Sequence, residues 1–222
     1  SNSKLLSGEL ATQLTGRHAT LEIFPFSYHE FKKINSGSLY DYLQNGGFPE
    51  VTALPNEPKV YLPTLFDSIV LTDVVKRYNI KLPVNLTNLS AYLLANAATT
   101  QSYSKLKNAL EFKSVFTLQK YLSYLTQAYL FYELLRFSPK LKEQFKAPRK
   151  IYAIDNGIVT TRSFGTSPNL GKLCENLVFL ELVRRGYKPN QNLFYYQTKN
   201  GKEVDFVLRQ DYKTKELIQV CY

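Results

Sequence analysis

Asp205 lies in EVDFVLR (203–209), a run whose central residues are otherwise apolar. A carboxylate on a strand of that kind must be paired, hydrogen-bonded or bound to a metal, because burying a bare charge is expensive. Strand alternation puts Glu203, Asp205 and Val207 on one face and Val204, Phe206 and Leu208 on the other. Glu175 is placed similarly, one turn into LGKLCENLVFLELVRRG (170–186), a helical pattern apolar almost all round. In the next strand pattern, ELIQVCY (216–222), Leu217, Gln219 and Cys221 share a face. Glu175, Asp205 and Gln219 are expected to converge on one point. Such an oxygen set suits Mg²⁺, with Glu175 and Asp205 as the metal-binding carboxylates. Other chemistries find little support. No Gly-x-x-x-x-Gly-Lys-Ser/Thr occurs, and Gly201-Lys202 is followed by Glu203 in a turn, so this chain should not hydrolyse ATP. His18 and His29 have no Ser or Cys companion at a useful spacing. Cys174 and Cys221 form neither a disulfide framework nor a metal motif, which points to a reducing cytoplasm.

The elements that must position these residues follow from periodicity. Residues 3–14 repeat leucine at helical spacing and stop at Thr15-Gly16-Arg17, and 18–24 alternate as a strand. Helices are expected at 27–33, 38–45 and 59–78, with Gly46-Gly47-Phe48-Pro49 as a break and 79–83 as a connector. Three more follow: one capped by Asn85, one opened by Ser102 or Ser104, and one from about 116 to 130. Strand patterns at 130–137 and 149–155 flank a basic loop, SPKLKEQFKAP (138–148), and strands at 193–197, 203–209 and 216–222 end the chain, with a turn over 211–215. Three helices and a basic hairpin outline a winged helix. In that reading Gln119, Lys120 and Ser123 on the third helix face the major groove, while Lys140, Lys142 and Lys146 lie along phosphates. The alternative is that helix and wing pack against a neighbouring domain.

Charge supports an anionic partner for this middle region. The net charge of +10 is concentrated there: residues 1–81 are neutral, 82–150 carry +7 and 151–222 carry +3. Duplex DNA is the first candidate, and a solvated lysine face is the alternative. With 44% apolar and 21% charged residues the composition is globular, and no run of about 18 apolar residues offers a membrane span. Methionine is absent, even at position 1, so the chain is expected to be a piece of a larger protein.

Two resemblances add to this reading. The helix glutamate Glu175, the strand aspartate Asp205 and Gln219-Val220-Cys221, where an acid-x-Lys is expected, resemble the PD-(D/E)XK (restriction-endonuclease-like) nucleases. The resemblance implies catalytic positions at Glu175, Asp205, Gln219 and Cys221. Gln219 replaces an acid and Cys221 the lysine, which implies a degenerate site. Lys202 or Lys213 would be the substitute cation from a neighbouring turn. More extensively, SNSKLLSGELATQLTGR, EIFPFSYHEF, GGFPEV, DSIVLTDVVKRYNI, IYAIDNG, GKLCENLVFLELVRRG and NGKEVDFVL resemble a family of prokaryotic AAA+ ATPases with a C-terminal domain of unknown function. That resemblance implies a P-loop and Walker B strand upstream of Ser1, and ATP and Mg²⁺ as cofactors of the parent protein. It also implies sensor-like roles for Asn2 or a neighbouring Ser and for Arg17, although Arg17 also suits a helix C-terminal cation.

The expected architecture is mixed α/β and multidomain. Residues 1–81 would form the helical tail of an AAA+ module, 82–156 a winged-helix domain, and 157–222 a restriction-endonuclease-like α/β domain incomplete at its C-terminus. The expected function is a DNA-associated, ATP-driven switch or motor, partnered by its N-terminal ATPase module and compatible with an oligomer. The alternative is a regulatory protein-binding scaffold with no nucleic-acid role.

Overall fold

The computed structural model describes residues 21–53, 58–162, 169–198, 200–211 and 213–222. The expected helix at 3–14, together with Asn2, Arg17 and His18, lies outside the described residues. Residues 21–24, the described end of the expected strand, have no regular structure, and Leu21 and Ile23 are exposed.

Helices α1 (Tyr28–Ile34) and α2 (Leu39–Asn45) each begin one residue after the starts expected at 27 and 38. Ser27 with Glu30 and Ser38 with Asp41 form reciprocal capping boxes, each satisfying N–H groups that the first turn leaves unpaired. A short α3 (Pro49–Ala53) opens on a proline, whose missing N–H has no helical partner at that position. Helix α4 (Pro58–Ser68) continues into a π-helical stretch, Ile69–Lys76.

Helix α5 (Pro83–Ala95) starts before the expected cap. Pro83 takes the first helical position, Leu82 precedes it without a side-chain cap, and Asn85 lies inside the first turn. Strand β1 (Thr99–Gln101) is too short to show a period. Helices α6 (Tyr103–Ala109) and α7 (Val115–Gln127) are capped by Ser102 and Ser114. Between β2 (Phe131–Leu135) and β3 (Arg149–Ala153) the basic connection is not a plain loop. It holds α8 (Leu141–Lys146), because LKEQFK consists mostly of good helix formers bracketed by Pro139 and Pro148. The three strands form an antiparallel sheet in the order β1-β3-β2, with Phe131 opposite Ala153 and Leu135 opposite Arg149.

Helix α9 (Asn156–Arg162) leads to α10 (Leu170–Arg184), followed by an antiparallel sheet β4-β5-β6, at Leu193–Gln197, Glu203–Gln210 and Lys213–Ile218. The last strand begins three residues earlier than its apolar pattern suggests. Asp211 adopts φ 49°, so the chain reverses within two residues and Lys213 pairs with Gln210. Residues 219–222 leave the ladder.

One core runs from Leu43 to Leu173 and is continuous across the connector at 79–83, with Val70 and Val74 on one side and Leu86 and Leu89 on the other. A second cluster joins Leu134 and Tyr152 of the first sheet to Phe179 of α10 and to Tyr195 and Phe206 of the second. The Tyr152 and Phe179 rings stack with centroids 4.1 Å apart and planes 4° from parallel. The two sheets also touch through backbone: Arg136 bridges Tyr195 in parallel sense, and the Phe137 N–H donates to the Tyr195 carbonyl at 2.7 Å.

Candidate functional site

Glu175 on α10 and Asp205 on β5 do meet, but around a lysine. The Lys150 Nζ on β3 lies 2.7 Å from Glu175 Oε1, 2.7 Å from Glu203 Oε1 and 2.9 Å from Asp205 Oδ1. Three acceptors for one ammonium use its full donor capacity. The Lys150 side chain is 1% exposed and Asp205 6%, so these are charges held out of water. The Tyr152 hydroxyl, two residues along the same strand face, donates to Glu175 Oε1 at 2.7 Å. Gln219 Nε2 and the Val220 N–H donate to Asp205 Oδ2 at 2.6 and 2.9 Å. Helix α10, strand β5 of the second sheet, the tail that follows β6 and the central strand of the first sheet therefore converge here.

Electrostatics follow from burial and pairing. Burial alone would lower the Lys150 pKa, but the Glu175 charge and hydrogen bonds to Glu175, Glu203 and Asp205 outweigh it and hold the ammonium above its ordinary value. Burial raises the Glu175 carboxyl above the usual range, against the pull of Lys150. Burial and the Glu175 charge push the Tyr152 phenol well up. With both Asp205 oxygens bonded and the ammonium between the carboxylates, a divalent cation at that point would have to displace Lys150. Among the described residues no group of three or more His, Cys, Asp or Glu side chains is arranged to hold a metal.

A second polar knot borders the first. Asn176, next to Glu175, is fully buried: its Oδ1 accepts from the Ala153 N–H at 2.8 Å, and its Nδ2 donates to the Ala153 carbonyl and to Asn156 Oδ1. Asn156 Nδ2 donates back to the Leu173 carbonyl at 2.9 Å. The adjoining Asp155 accepts from the Gly47 N–H at 2.7 Å and the Gly157 N–H at 2.8 Å. Burial pushes the Asp155 carboxyl up to about 6, while those N–H groups and the nearby Arg184 pull the other way. The GGFP, IDNG and CEN segments of the sequence are therefore neighbours in space, and their polar residues join α2, β3 and α10.

The other expected site residues lie elsewhere. Cys221 is exposed and beyond the end of β6; Lys202 and Lys213 are exposed. On α7, Gln119 and Lys120 are exposed, while Ser123 is half-buried and accepts from Gln127. Lys140, Lys142 and Lys146 are exposed around α8, with Lys140 3.4 Å from Glu143. Beside α7 the Tyr78 and Tyr124 rings stack 3.6 Å apart, with Arg77 and Lys120 over them at 5.4 and 5.9 Å. Lys150, Tyr152 and Glu203 complete the buried cluster and are missing from the expected set. The signal for Lys150 is present in RKIYAI: a lysine leading directly into an apolar strand run, whose face it shares with Tyr152, needs a partner as Asp205 does.

The chain belongs to the family of the domain of unknown function DUF8612, which matches residues 36–168. Residues 170–221 match the domain of unknown function DUF4143, a domain often found at the C-terminus of AAA-ATPase-like proteins. The chain is similar to an uncharacterized protein of Methanocaldococcus jannaschii, 40% identical over 100% of this chain and 54% of the relative. It is also similar to an uncharacterized protein of Haemophilus influenzae, 35% identical over 99% of this chain and 56% of the relative. The chain thus spans about half the length of these relatives. No solved structure matches. Among the described residues no helix is long and apolar enough to cross a membrane.

Proposed function

We propose that the chain is the C-terminal part of a cytoplasmic AAA+-type ATPase that works on duplex DNA as an ATP-driven switch or motor. ATP and Mg²⁺ would be held by the parent protein's ATPase module, whose end is residues 1–81. Residues 82–156 would be a winged-helix unit and 157–222 a nuclease-like unit. The observation that carries the DNA reading is the arrangement of the most basic third of the chain. Helices α5, α6 and α7 precede and interleave with an antiparallel sheet of order β1-β3-β2, leaving Gln119, Lys120 and the α8 lysines exposed on the surface. Lys140→Glu, Lys142→Glu and Lys146→Glu together should weaken binding across all duplex sequences and flatten the salt slope by about one per lost phosphate contact. Changes at Gln119 or Ser123 should alter preference among sequences more than overall affinity. Unchanged binding in the triple variant would place the partner surface elsewhere.

The nuclease-like unit is proposed to lack cleavage activity. Lys150 consumes the acceptors of Glu175 and Asp205 that a cation would need, and Cys221 carries no charge to stabilise a developing phosphate oxyanion. Incubating the chain with plasmid and single-stranded DNA in Mg²⁺ or Mn²⁺ should yield no nicking. Metal-dependent nicking that disappears in Asp205→Ala would show a live site. A second reading, a protein-binding scaffold, is favoured by α8, which exposes Leu141 at 66% and Phe145 at 59% between its lysines.

A further inference from the structure

A cavity of about 540 Å³ opens between segment 21–25, the α3–α4 region and the turn after α7. That volume falls in the range of small-ligand sites. Phe24, Phe48, Tyr61 and Tyr129 present aromatic rings to it. Among the described residues its charged groups are two exposed carboxylates, Glu22 and Glu50, and no lysine, arginine or histidine lines it. Beside this lining Arg184 sits 5.8 Å from the Phe24 ring centroid and donates to the Pro25 carbonyl at 2.9 Å, and in a chain of net charge +10 a lining whose own charged groups are acids runs against the prevailing sign. Each carboxylate lies near a ring hydroxyl: burial first and Glu50 second raise the Tyr61 phenol, and burial first and Glu22 second raise that of Tyr129.

Tyr129 supplies an independent observation. It follows the end of α7 at φ 58°, where the next residue, Leu130, donates its N–H back to the Leu125 carbonyl at 3.2 Å. Glycine takes this closing position without strain, whereas a bulky side chain does not. Among the described residues in this left-handed region Tyr129 is the only aromatic. A strained aromatic that lines a cavity is the kind of outlier from which a binding role is argued.

We propose that this cavity binds an organic cation with an apolar body. The ring faces take the apolar body and part of the charge, and Glu22 and Glu50 at the mouth take the rest. The ligand's source is either a free small molecule or an arginine-bearing peptide segment, and the same titration separates them. NMR titration of the full chain with phenethylguanidinium should show binding about ten-fold tighter than with neutral 3-phenylpropanamide. The peptide arm compares acetyl-Leu-Arg-Phe-amide with its Gln counterpart. A peptide bound about ten-fold tighter than phenethylguanidinium identifies a segment as the ligand; equal or weaker binding identifies a small molecule. Glu22→Gln with Glu50→Gln should abolish the preference for cations. Tyr129→Gly should lower cation affinity while leaving the thermal midpoint unchanged or higher, since it removes the left-handed strain. A purely structural cavity gives no saturable cation binding, equal affinity for cation and amide, or a preference that survives the double glutamate change; any of these overturns the proposal.

Discussion

Replacing Lys150 with methionine should destabilise the protein by about 3–5 kcal/mol at neutral pH, among the largest effects expected of one substitution. Methionine fills similar volume, so the loss is not chiefly a cavity effect. It leaves Glu175, Glu203 and Asp205 facing one another without the ammonium that touches all three. Three N–H donors vanish from carboxylates that are mostly shielded from water. The deficit should depend on pH in a defined sense. Burial already raises the Glu175 carboxyl, and Lys150 is what opposes it. Without Lys150 the folded-state pKa rises further above the unfolded value. Such a group favours the folded state fully below its unfolded pKa, near 4.5, and that contribution is lost as pH rises through the folded pKa. The variant should therefore lie closest to the parent below about pH 4.5, and the gap should widen as pH rises towards neutrality. Adding Glu175→Gln should recover part of the stability. Denaturant unfolding at acid and neutral pH checks both, and a deficit under about 1 kcal/mol at neutral pH would show a solvated surface pair instead.

The second large effect is at Gly46. Its φ of 75° and ψ of −166° fall in a region essentially confined to glycine. A Cβ at this position would sit within the Asp155 carboxylate, which is itself buried and held by the Gly47 and Gly157 N–H groups. Gly46→Ala should cost about 3 kcal/mol or more, summing backbone strain and overpacking against groups that cannot move apart. Gly186→Ala is the control. It also has positive φ, at 89°, but its Cβ would meet nothing within 4 Å. It should therefore show the backbone strain alone. Equal losses for the two would mean that the α2–Asp155 contact is loose. Unfolding midpoints of the two variants give the comparison.

Local signals carried much of the fold. Helices α1, α2 and α7 start within one residue of the expected 27, 38 and 116, and α6 is opened by Ser102, one of its two expected caps; the short-range serine hydrogen bonds at all four starts are why periodicity sufficed there. The failures came where one local rule met another. Asn85 reads as a cap only if Pro83 is ignored, and the 138–148 segment reads as a loop because its prolines flank rather than interrupt a helical turn. Strand β6 was misplaced because its solvent-facing edge is charged, so apolar alternation marks the wrong residues.

The candidate site was legible in the same way and to the same limit. A carboxylate in an apolar strand and another in an apolar helix announce that each needs a partner, and Gln219 does reach Asp205. What the partner is depends on a contact between β3 and β5, strands of different sheets 55 residues apart in the chain. No periodicity encodes that contact. Lys150 also sits at the end of a lysine-rich stretch, where it looks like one more solvated cation.

The proposed meeting of the basic middle of the chain with duplex DNA is tested most directly by affinity measured at two salt concentrations. Fluorescence anisotropy with a random-sequence duplex at about 50 and 200 mM salt would suffice. A protein neutralising several phosphates releases their counterions, so its affinity should fall steeply between the two, by about 10²-fold or more for four or five contacts. Weak binding that is the same at both concentrations would contradict the claim and leave the protein-binding scaffold as the better reading.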